Sequence, residues 1–182
     1  MKKYELTAES IVKFGRTLFR IKALVAFGDV EEGELGGFVE KEGNLDQYGD
    51  AWVYGDARVY GDARVYGDAQ VYGDARVYGD AWVSGDARVY GDAQVFRMSH
   101  YLTVGPLGSR DDFTTFFRTK HLTIGVKCGC FKGDIDQFFE AVEKTHGNNK
   151  HARAYKAAIA LAKLQIDLDE EDSDEEETGK ES

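Results

Sequence analysis

Eight six-residue units follow one another from Tyr48 to Val95 without an insertion, and this repeat constrains the fold more than any other feature. The units read YGDAWV, YGDARV, YGDARV, YGDAQV, YGDARV, YGDAWV, SGDARV and YGDAQV. The residue before Val varies, and Ser84 replaces the Tyr once. A short fixed period predicts a solenoid, in which each unit packs mainly against its neighbours.

Each unit predicts a short strand followed by a corner. Side chains alternate faces along a strand, so Ala57 and Val59 share one face. Arg58 and Tyr60 share the opposite face. The Gly-Asp pair that follows is a turn signal, because Gly tolerates left-handed dihedral angles and Asp binds nearby backbone. The interior is therefore expected to be narrow and built from Ala and Val.

The six-residue period resembles the hexapeptide repeat of left-handed parallel β-helices, in which three units form one triangular coil. The resemblance implies a mainly β fold in which residues 18 apart stack at a strand spacing of about 4.8 Å. One outward ladder is then expected to contain Tyr54, Tyr72 and Tyr90, next to Arg58 and Arg76. The segments 36–41 and 42–47 predict an imperfect first coil, with Val39 and Leu45 near inward positions.

Composition divides the chain into four parts. They are an N-terminal β cap (1–41), the hexapeptide-repeat β-helix (42–96), a small α+β module (97–166) and an acidic tail (167–182). Within the cap, Ile11–Phe14 and Leu18–Leu24 predict strands joined by a turn at Gly15-Arg16. Both flanking modules are expected to cover the ends of the solenoid, because solenoid ends expose unpaired edges.

The module that follows the repeat shows a change from strand to helix patterns. Strands are predicted at Tyr101–Val104, Phe113–Thr119 and Leu122–Val126. A helix is predicted to begin at Asp134, with Gln137 three residues on as its capping partner. Its expected apolar stripe contains Ile135, Phe138, Phe139 and Val142. A second helix is predicted from about 150 to 166, with Tyr155, Ile159, Ala162 and Ile166 along one side.

The net charge of −10 comes almost entirely from the tail. Residues 167–182 contain ten acids and one base, so the rest of the chain is nearly neutral. Runs of like charge repel one another and predict a disordered interaction tail. The chain has no apolar run of membrane-spanning length and its first residues lack a signal-peptide pattern. We therefore expect a protein of the bacterial cytoplasm with no membrane partner.

Metal and cofactor sites are not expected. The corner Asp ladders have one Gly and one Asp in each six residues, which favours turn formation over calcium binding. Cys128 and Cys130 are too few for a disulfide framework and lack the usual zinc spacing, so two buried thiols in a strand are expected.

Acyl transfer is the enzymatic alternative, because many hexapeptide β-helix proteins are acyltransferases that use a histidine base. Residues 1–99 contain no histidine, and acyl transfer requires a base for the acceptor proton. Such a site would have to lie near His100 or His121. A non-catalytic role is the preferred interpretation, with an acyl- or acetyltransferase kept as the alternative.

A protein partner is the preferred ligand for the outer surface. Tyr, Trp and Arg are enriched at binding hot spots. The repeat contains four Arg and eight Asp, which opposes direct binding of free nucleic acid. The alternative is that Arg–Asp and Tyr–Tyr neighbours only stabilise stacked coils. The predicted contact residues are Tyr54, Tyr72, Tyr90, Arg58, Arg76, Trp52 and Trp82, with Asp169, Glu170, Glu171 and Asp172 of the tail.

Three segments resemble proteins of bacteriophages and prophages of gut Firmicutes. They read KKYELTAES followed by GRTLFRIKALVAFGDVEEGELGGFVE, then the YGDARV array, then YLTVGPLGSRDDFTTF, VKCGCFKGDIDQF and THGNN. The resemblance covers residues 1–166. Because some proteins of that setting inhibit Cas9, it implies an anti-CRISPR role against a host nucleoprotein. A structural phage component is the further alternative, and flat faces allow a homo-oligomer.

Overall fold

A computed structural model of the chain describes residues 2–169, and its centre is a β-solenoid of about three turns. The predicted tail residues Glu170, Glu171 and Asp172 lie outside the described residues. The regular coils contain eight two-residue strands. They are β4 (Trp52–Val53), β5 (Arg58–Val59), β6 (Arg64–Val65), β7 (Gln70–Val71), β8 (Arg76–Val77), β9 (Trp82–Val83), β10 (Arg88–Val89) and β11 (Gln94–Val95).

The strands form parallel sheets on three sides of the coil. The first side is β4–β7–β10, the second contains β5–β8–β11, and the third is β6–β9. Arg58 pairs with Arg76, and Arg64 pairs with Trp82, so stacked residues are 18 apart as predicted. Every Ala and Val of the repeat is buried, with at most 1% of its surface exposed. The prediction of a mainly β parallel helix with an Ala/Val interior is confirmed.

The glycine at each corner is required by its backbone. Gly79 has φ +61°, and a Cβ there would lie 2.7 Å from the carbonyl oxygen of Phe96 in the next coil. A residue with a side chain would therefore meet both backbone strain and a steric clash. Each six-residue unit therefore has its glycine at the corner, where the backbone adopts positive φ.

The imperfect first coil is present and differs from the others by two residues. Val39 of β3 (Leu35–Val39) pairs with Val59, and Leu45 bridges to Val65, so both offsets are 20 instead of 18. The extra residues lie just after Leu45. Gln47 accepts hydrogen bonds from the backbone N–H groups of Lys3 (2.8 Å) and Tyr4 (3.3 Å) with its side-chain oxygen. The irregularity therefore anchors the N-terminal segment to the solenoid.

An N-terminal hairpin extends the second side of the solenoid. Strand β1 (Tyr4–Lys13) pairs antiparallel with β2 (Arg16–Ala23), and β2 pairs antiparallel with β3. The turn lies at Phe14-Gly15, where both residues have positive φ. The predicted hairpin is confirmed, although β1 begins well before the predicted Ile11.

The C-terminal module packs two helices against a four-stranded antiparallel sheet. Its strands are β12 (Tyr101–Leu107), β13 (Asp112–Arg118), β14 (Ile124–Cys128) and β15 (Phe131–Asp134), followed by α1 (Ile135–His146) and α2 (Lys150–Gln165). Asp134 caps α1 by accepting from the N–H groups of Asp136 and Gln137, as predicted. The predicted stripe is wrong at Phe139, which is 36% exposed, and β15 was not predicted.

Strand β13 joins this module to the last coil. Thr119, which follows it, forms an antiparallel bridge with Ala93. The Thr115 hydroxyl accepts a hydrogen bond of 3.0 Å from the N–H of Arg88. The upper edge of the solenoid is thereby paired with the module, which satisfies backbone groups that an open end would expose.

Candidate functional site: the third side of the solenoid

Aromatic residues of the second side form a buried stack. Phe14 stacks on Tyr60 (5.3 Å between ring centroids), Tyr60 on Tyr78 (4.9 Å), and Tyr78 on Phe96 (5.0 Å). The His100 ring closes the stack edge-on at 4.2 Å. Tyr60 and Tyr78 are at most 1% exposed, because the N-terminal hairpin packs over them. This side uses its aromatic rings for stability.

Arg58 and Arg76 belong to this second side, which corrects the predicted ladder. Arg76 lies over the ring of Tyr78 at 5.5 Å and over Phe14 at 4.8 Å. Within a strand Ala-Xaa-Val-Tyr, the variable residue and the Tyr two positions later point to the same face. Each Arg therefore lies beside the Tyr that follows it, and the ladder that begins at Tyr54 lies on the neighbouring side.

Trp52 of the first side is fully buried, so its predicted contact with a partner is wrong. Its ring is covered edge-on by Tyr4 (6.1 Å) and Phe27 (5.3 Å). Gly36 makes room for it, since a Cβ there would lie 2.7 Å from the Trp52 ring. The N-terminal segment folds over the first coil and removes this ring from the surface.

The remaining rings of the first side are half-buried. Tyr72 stacks on Tyr90 at 5.8 Å, and Tyr90 meets the edge of Phe117 at 5.3 Å. Lys132 lies over both tyrosine rings, at 5.2 and 5.5 Å. Burial raises the pKa of the Tyr72 hydroxyl to about 12. These contacts lie within the chain, so a partner role for Tyr54, Tyr72 and Tyr90 stays a prediction.

The third side presents its aromatic residues to solvent. Trp82 is 45% exposed, and Tyr48 is 81% exposed. The exposed Arg64 guanidinium lies over the Trp82 ring at 5.4 Å. Tyr66 meets the same ring edge-on at 6.5 Å. Of the predicted contact residues in the repeat, Trp82 is the one that the structure places here.

A shallow cavity runs between these side chains. It has a volume of about 690 Å³ and is lined by Tyr48, Tyr66, Arg64, Trp82 and the irregular segment 42–47. Because Leu45 bridges to Val65, Asp46 takes the position beside Tyr66 that Tyr48 would hold with an offset of 18. A neighbouring depression of about 350 Å³ contains Lys41, Asp62, Asp80, Arg64 and Trp82. Lys41 pairs with Asp62 there at 3.0 Å.

Ser84 breaks the repeat because another tyrosine takes its place. The Tyr101 hydroxyl donates to the carbonyl oxygen of Trp82 at 2.8 Å. Burial raises the pKa of this hydroxyl, and hydrogen bonds with Ser84 act in the opposite direction. A tyrosine at position 84 would compete with the Tyr101 ring for the position above Tyr66. Tyr101 thereby joins the C-terminal module to the third side next to Ser84.

The histidines do not line the cavity of the third side. His100 is 1% exposed, and its Nδ1 accepts a hydrogen bond of 3.3 Å from the N–H of Phe96. His121 is exposed and its Nε2 lies 3.3 Å from the Asp92 carboxylate. A general base at His100 would have no access to an acceptor, so the predicted acyltransferase site near it has no support in the geometry.

The cysteine prediction is corrected in part. Cys128 is half-buried and its sulfur accepts a hydrogen bond from the Thr114 hydroxyl at 3.1 Å, whereas Cys130 is exposed. Cys130 lies in the tight turn between β14 and β15, which places it outside the sheet. Among residues 2–169, no group of three or more His, Cys, Asp or Glu side chains is arranged to hold a metal ion. No helix of that range is long and apolar enough to cross a membrane.

Comparison with known proteins supports the repeat. A family model described as the YdcK beta solenoid repeat matches residues 51–67, 57–70, 69–85 and 83–97. The matched segments cover about a quarter of the chain and contain β4 to β11. No curated protein matches the chain. Together with the observed coils, the match supports a repeat β-solenoid protein and leaves the hairpin and the α+β module unassigned.

Sequence reasoning missed Tyr48, Tyr66 and Arg64 as members of the exposed site. The alternation of side chains already places Arg64 and Tyr66 on one face, and the 18-residue period places Trp82 above Arg64. The exposure of Tyr48 depends on the two extra residues after Leu45, which the hexapeptide pattern does not show.

Proposed function

We propose that this chain is a non-catalytic binding protein that docks a protein partner on the third side of its solenoid. The observation that carries the proposal is the exposure of Tyr48, Arg64 and Trp82 beside the half-buried Tyr66, on a solenoid whose corresponding rings on the second side are buried. Identical repeats would make three equal sides. The flanking segments distinguish them and leave this aromatic surface accessible.

The chemistry of the surface favours a protein over a small molecule. Aromatic residues and Arg dominate binding hot spots, because they bury a large area and also donate hydrogen bonds. A stacked solenoid holds these side chains on rigid strands, which lowers the entropic cost of binding. The cavity is open and shallow, whereas small-molecule sites usually bury most of their ligand.

The charges around the site oppose free nucleic acid. Arg64 and Lys41 lie among the carboxylates of Glu42, Asp46, Asp62 and Asp80. Affinity for phosphates depends on an excess of positive charge. Mixed charges at the rim of an aromatic patch are instead suited to orienting a protein partner.

The partner that we propose is a host-defence nucleoprotein such as Cas9, with an anti-CRISPR role as the consequence. The support for this choice is the resemblance of residues 1–166 to phage and prophage proteins. The predicted contacts by Asp169, Glu170, Glu171 and Asp172 belong to the same proposal, because an acidic tail is attracted to a basic nucleic-acid groove.

The test compares arginines at equivalent repeat positions on different sides. Binding of purified Cas9, with and without guide RNA, is measured by biolayer interferometry for wild type, Arg64→Ala, Trp82→Ala and Arg88→Ala. We expect at least a tenfold loss of affinity for the first two variants, which corresponds to about 1.4 kcal/mol. Arg88→Ala, on the first side, serves as the matched control and should change affinity less than twofold.

Two results would count against the proposal in different ways. Failure of Cas9 to bind wild type in either form would refute the choice of partner. Equal losses for Arg64→Ala and Arg88→Ala would refute the third side as the docking surface, since both variants remove the same charge from the same position of the six-residue unit.

A further inference from the structure

Arginine side chains converge on the second side of the solenoid. Arg58 pairs in register with Arg76, and Arg76 pairs with Gln94 in the next coil. Arg118 continues the series, since its Nη1 donates to the side-chain oxygen of Gln94 at 3.4 Å. We call Arg58, Arg76 and Arg118 the arginine column. It runs along the solenoid axis and ends at the C-terminal module.

Two of these guanidinium groups have unsatisfied atoms within the described chain. Arg118 is 2% exposed, and among residues 2–169 neither its Nε nor the buried Nε of Arg58 has a hydrogen-bond partner. Burying a charged donor without a partner is costly. Nearby carboxylates are used elsewhere, because Glu9 pairs with Arg20 (2.8 Å) and Glu40 pairs with Arg16 (3.0 Å). The Nε–H groups of Arg58 and Arg118 are therefore donors for which a carboxylate is a strong acceptor.

The last described residues lie at the upper end of this column. Arg118 Nη2 donates to the carbonyl oxygen of Asp169 at 3.3 Å. The N–H of Asp167 donates to the carbonyl oxygen of Ser99 at 3.1 Å. The Asp169 N–H, with His100 and Arg97 as smaller contributions, holds the pKa of the Asp167 carboxyl below its usual value. Asp169, the last described residue, therefore lies beside Arg118 at the end of the arginine column.

We propose that residues 170–182 bind along the arginine column of their own chain. This segment contains eight acids and one base, so its charge is complementary to the column. Thirteen residues reach up to about 45 Å when extended. The column spans three strand spacings, or about 15 Å, so the segment is long enough to pair with every member. Charge-assisted hydrogen bonds of carboxylates to guanidinium groups are the expected contacts.

This interaction does not depend on the proposed partner, because it uses the second side and partner docking uses the third. It adds an internal acidic ligand to the solenoid. A partner that attracts the tail would have to displace it from the arginines first, which couples the two sides through the tail.

Arginine side-chain NMR tests the proposal on the full chain. The Nε–Hε resonances of wild type are compared with those of a full-length variant in which all eight acids of 170–182 become the corresponding amides. We expect shifts at Arg58, Arg76 and Arg118 that disappear in 0.5 M NaCl, because salt screens the pairing. Arg64 and Arg88 are internal controls on the other two sides. Absence of shifts, or equal shifts at all five arginines, would overturn the proposal.

Proteolysis provides an independent readout. Cleavage after Glu170–Glu181 by a glutamate-specific protease is followed by mass spectrometry in wild type, Arg76→Gln and Arg64→Gln, with circular dichroism to verify that each variant is folded. We expect Arg76→Gln to accelerate cleavage several-fold and Arg64→Gln to leave it unchanged. Equal rates in the two variants would contradict tail binding. Protection that increases with protein concentration would place the tail on a second copy and overturn binding in cis.

Discussion

The replacement of Tyr78 by Ala should destabilise the solenoid far more than the same replacement at Tyr48. Both tyrosines occupy the same position of the YGDAXV unit. Tyr78 is 1% exposed and lies between the rings of Tyr60 (4.9 Å) and Phe96 (5.0 Å). Tyr48 is 81% exposed. The two variants therefore compare the same repeat position where the N-terminal hairpin buries the ring and where the ring is exposed.

The expected magnitudes follow from burial. Removing a buried aromatic ring costs about 3–5 kcal/mol, since transfer and cavity contributions add. This cost includes the loss of the two ring contacts of Tyr78, each worth about 0.5–1.5 kcal/mol, so we expect a value in the upper part of the range, about 4–5 kcal/mol. An exposed substitution such as Tyr48→Ala usually changes stability by about 0.5 kcal/mol or less. For a chain of this size, the Tyr78 variant should lower the Tm by about 8–20 °C.

Urea unfolding followed by circular dichroism measures both free energies of unfolding, and thermal scans measure the Tm. Tyr78→Phe is the matched control, because it keeps the ring and both stacking contacts. If Tyr78→Ala and Tyr48→Ala had the same cost, the hairpin would not cover the second side and the unequal sides described here would be wrong.

Three further predictions concern the coil. Ser84→Tyr restores the consensus but should lower stability by about 1–3 kcal/mol, because its ring competes with Tyr101, and a higher Tm in thermal scans would contradict this. Gly79→Ala should lower the free energy of unfolding in urea more than Gly85→Ala does. Both glycines have positive φ, but a Cβ at Gly85 meets nothing within 4 Å, so equal losses would exclude a clash at Gly79. Stability should fall as pH rises from about 10 toward 12. Burial raises the pKa of the Tyr72 hydroxyl to about 12 in the folded chain, whereas an exposed tyrosine has a pKa of about 10, so this hydroxyl loses its proton first in the unfolded chain. Tyr72→Phe should flatten that slope in urea unfolding at pH 9 and 11, and an unchanged slope would refute the assignment.

Much of the coil was predictable from local chemistry. Alternation puts Ala and Val inward, and the Gly-Asp pair supplies a corner, whereas the 18-residue register follows from the resemblance to hexapeptide β-helices with three units per coil. The capping of α1 by Asp134 was also predictable, because Asp followed by Gln at the third position satisfies the free N–H groups of a first turn.

The burial of the aromatic rings on each side was not predictable, since it depends on contacts with residues that are distant in sequence. Trp52 and Trp82 lie in identical YGDAWV units, yet one is buried and the other is 45% exposed. The difference arises because Tyr4 and Phe27 pack against the Trp52 ring on the first side, whereas Trp82 lies on the third side. The substitution at Ser84 was a signal for a packing partner, but the sequence does not show that the partner is Tyr101.

Hydroxyl-radical footprinting tests the central claim most directly, which is that identical repeats form three sides of different accessibility. Trypsin cleavage after each Arg separates the repeat into distinct peptides, so oxidation can be assigned by tandem mass spectrometry. We expect rapid oxidation of Tyr48 and Trp82, and protection of Tyr60, Tyr78 and Trp52. Oxidation of Trp52 and Trp82 at the same rate would contradict this account.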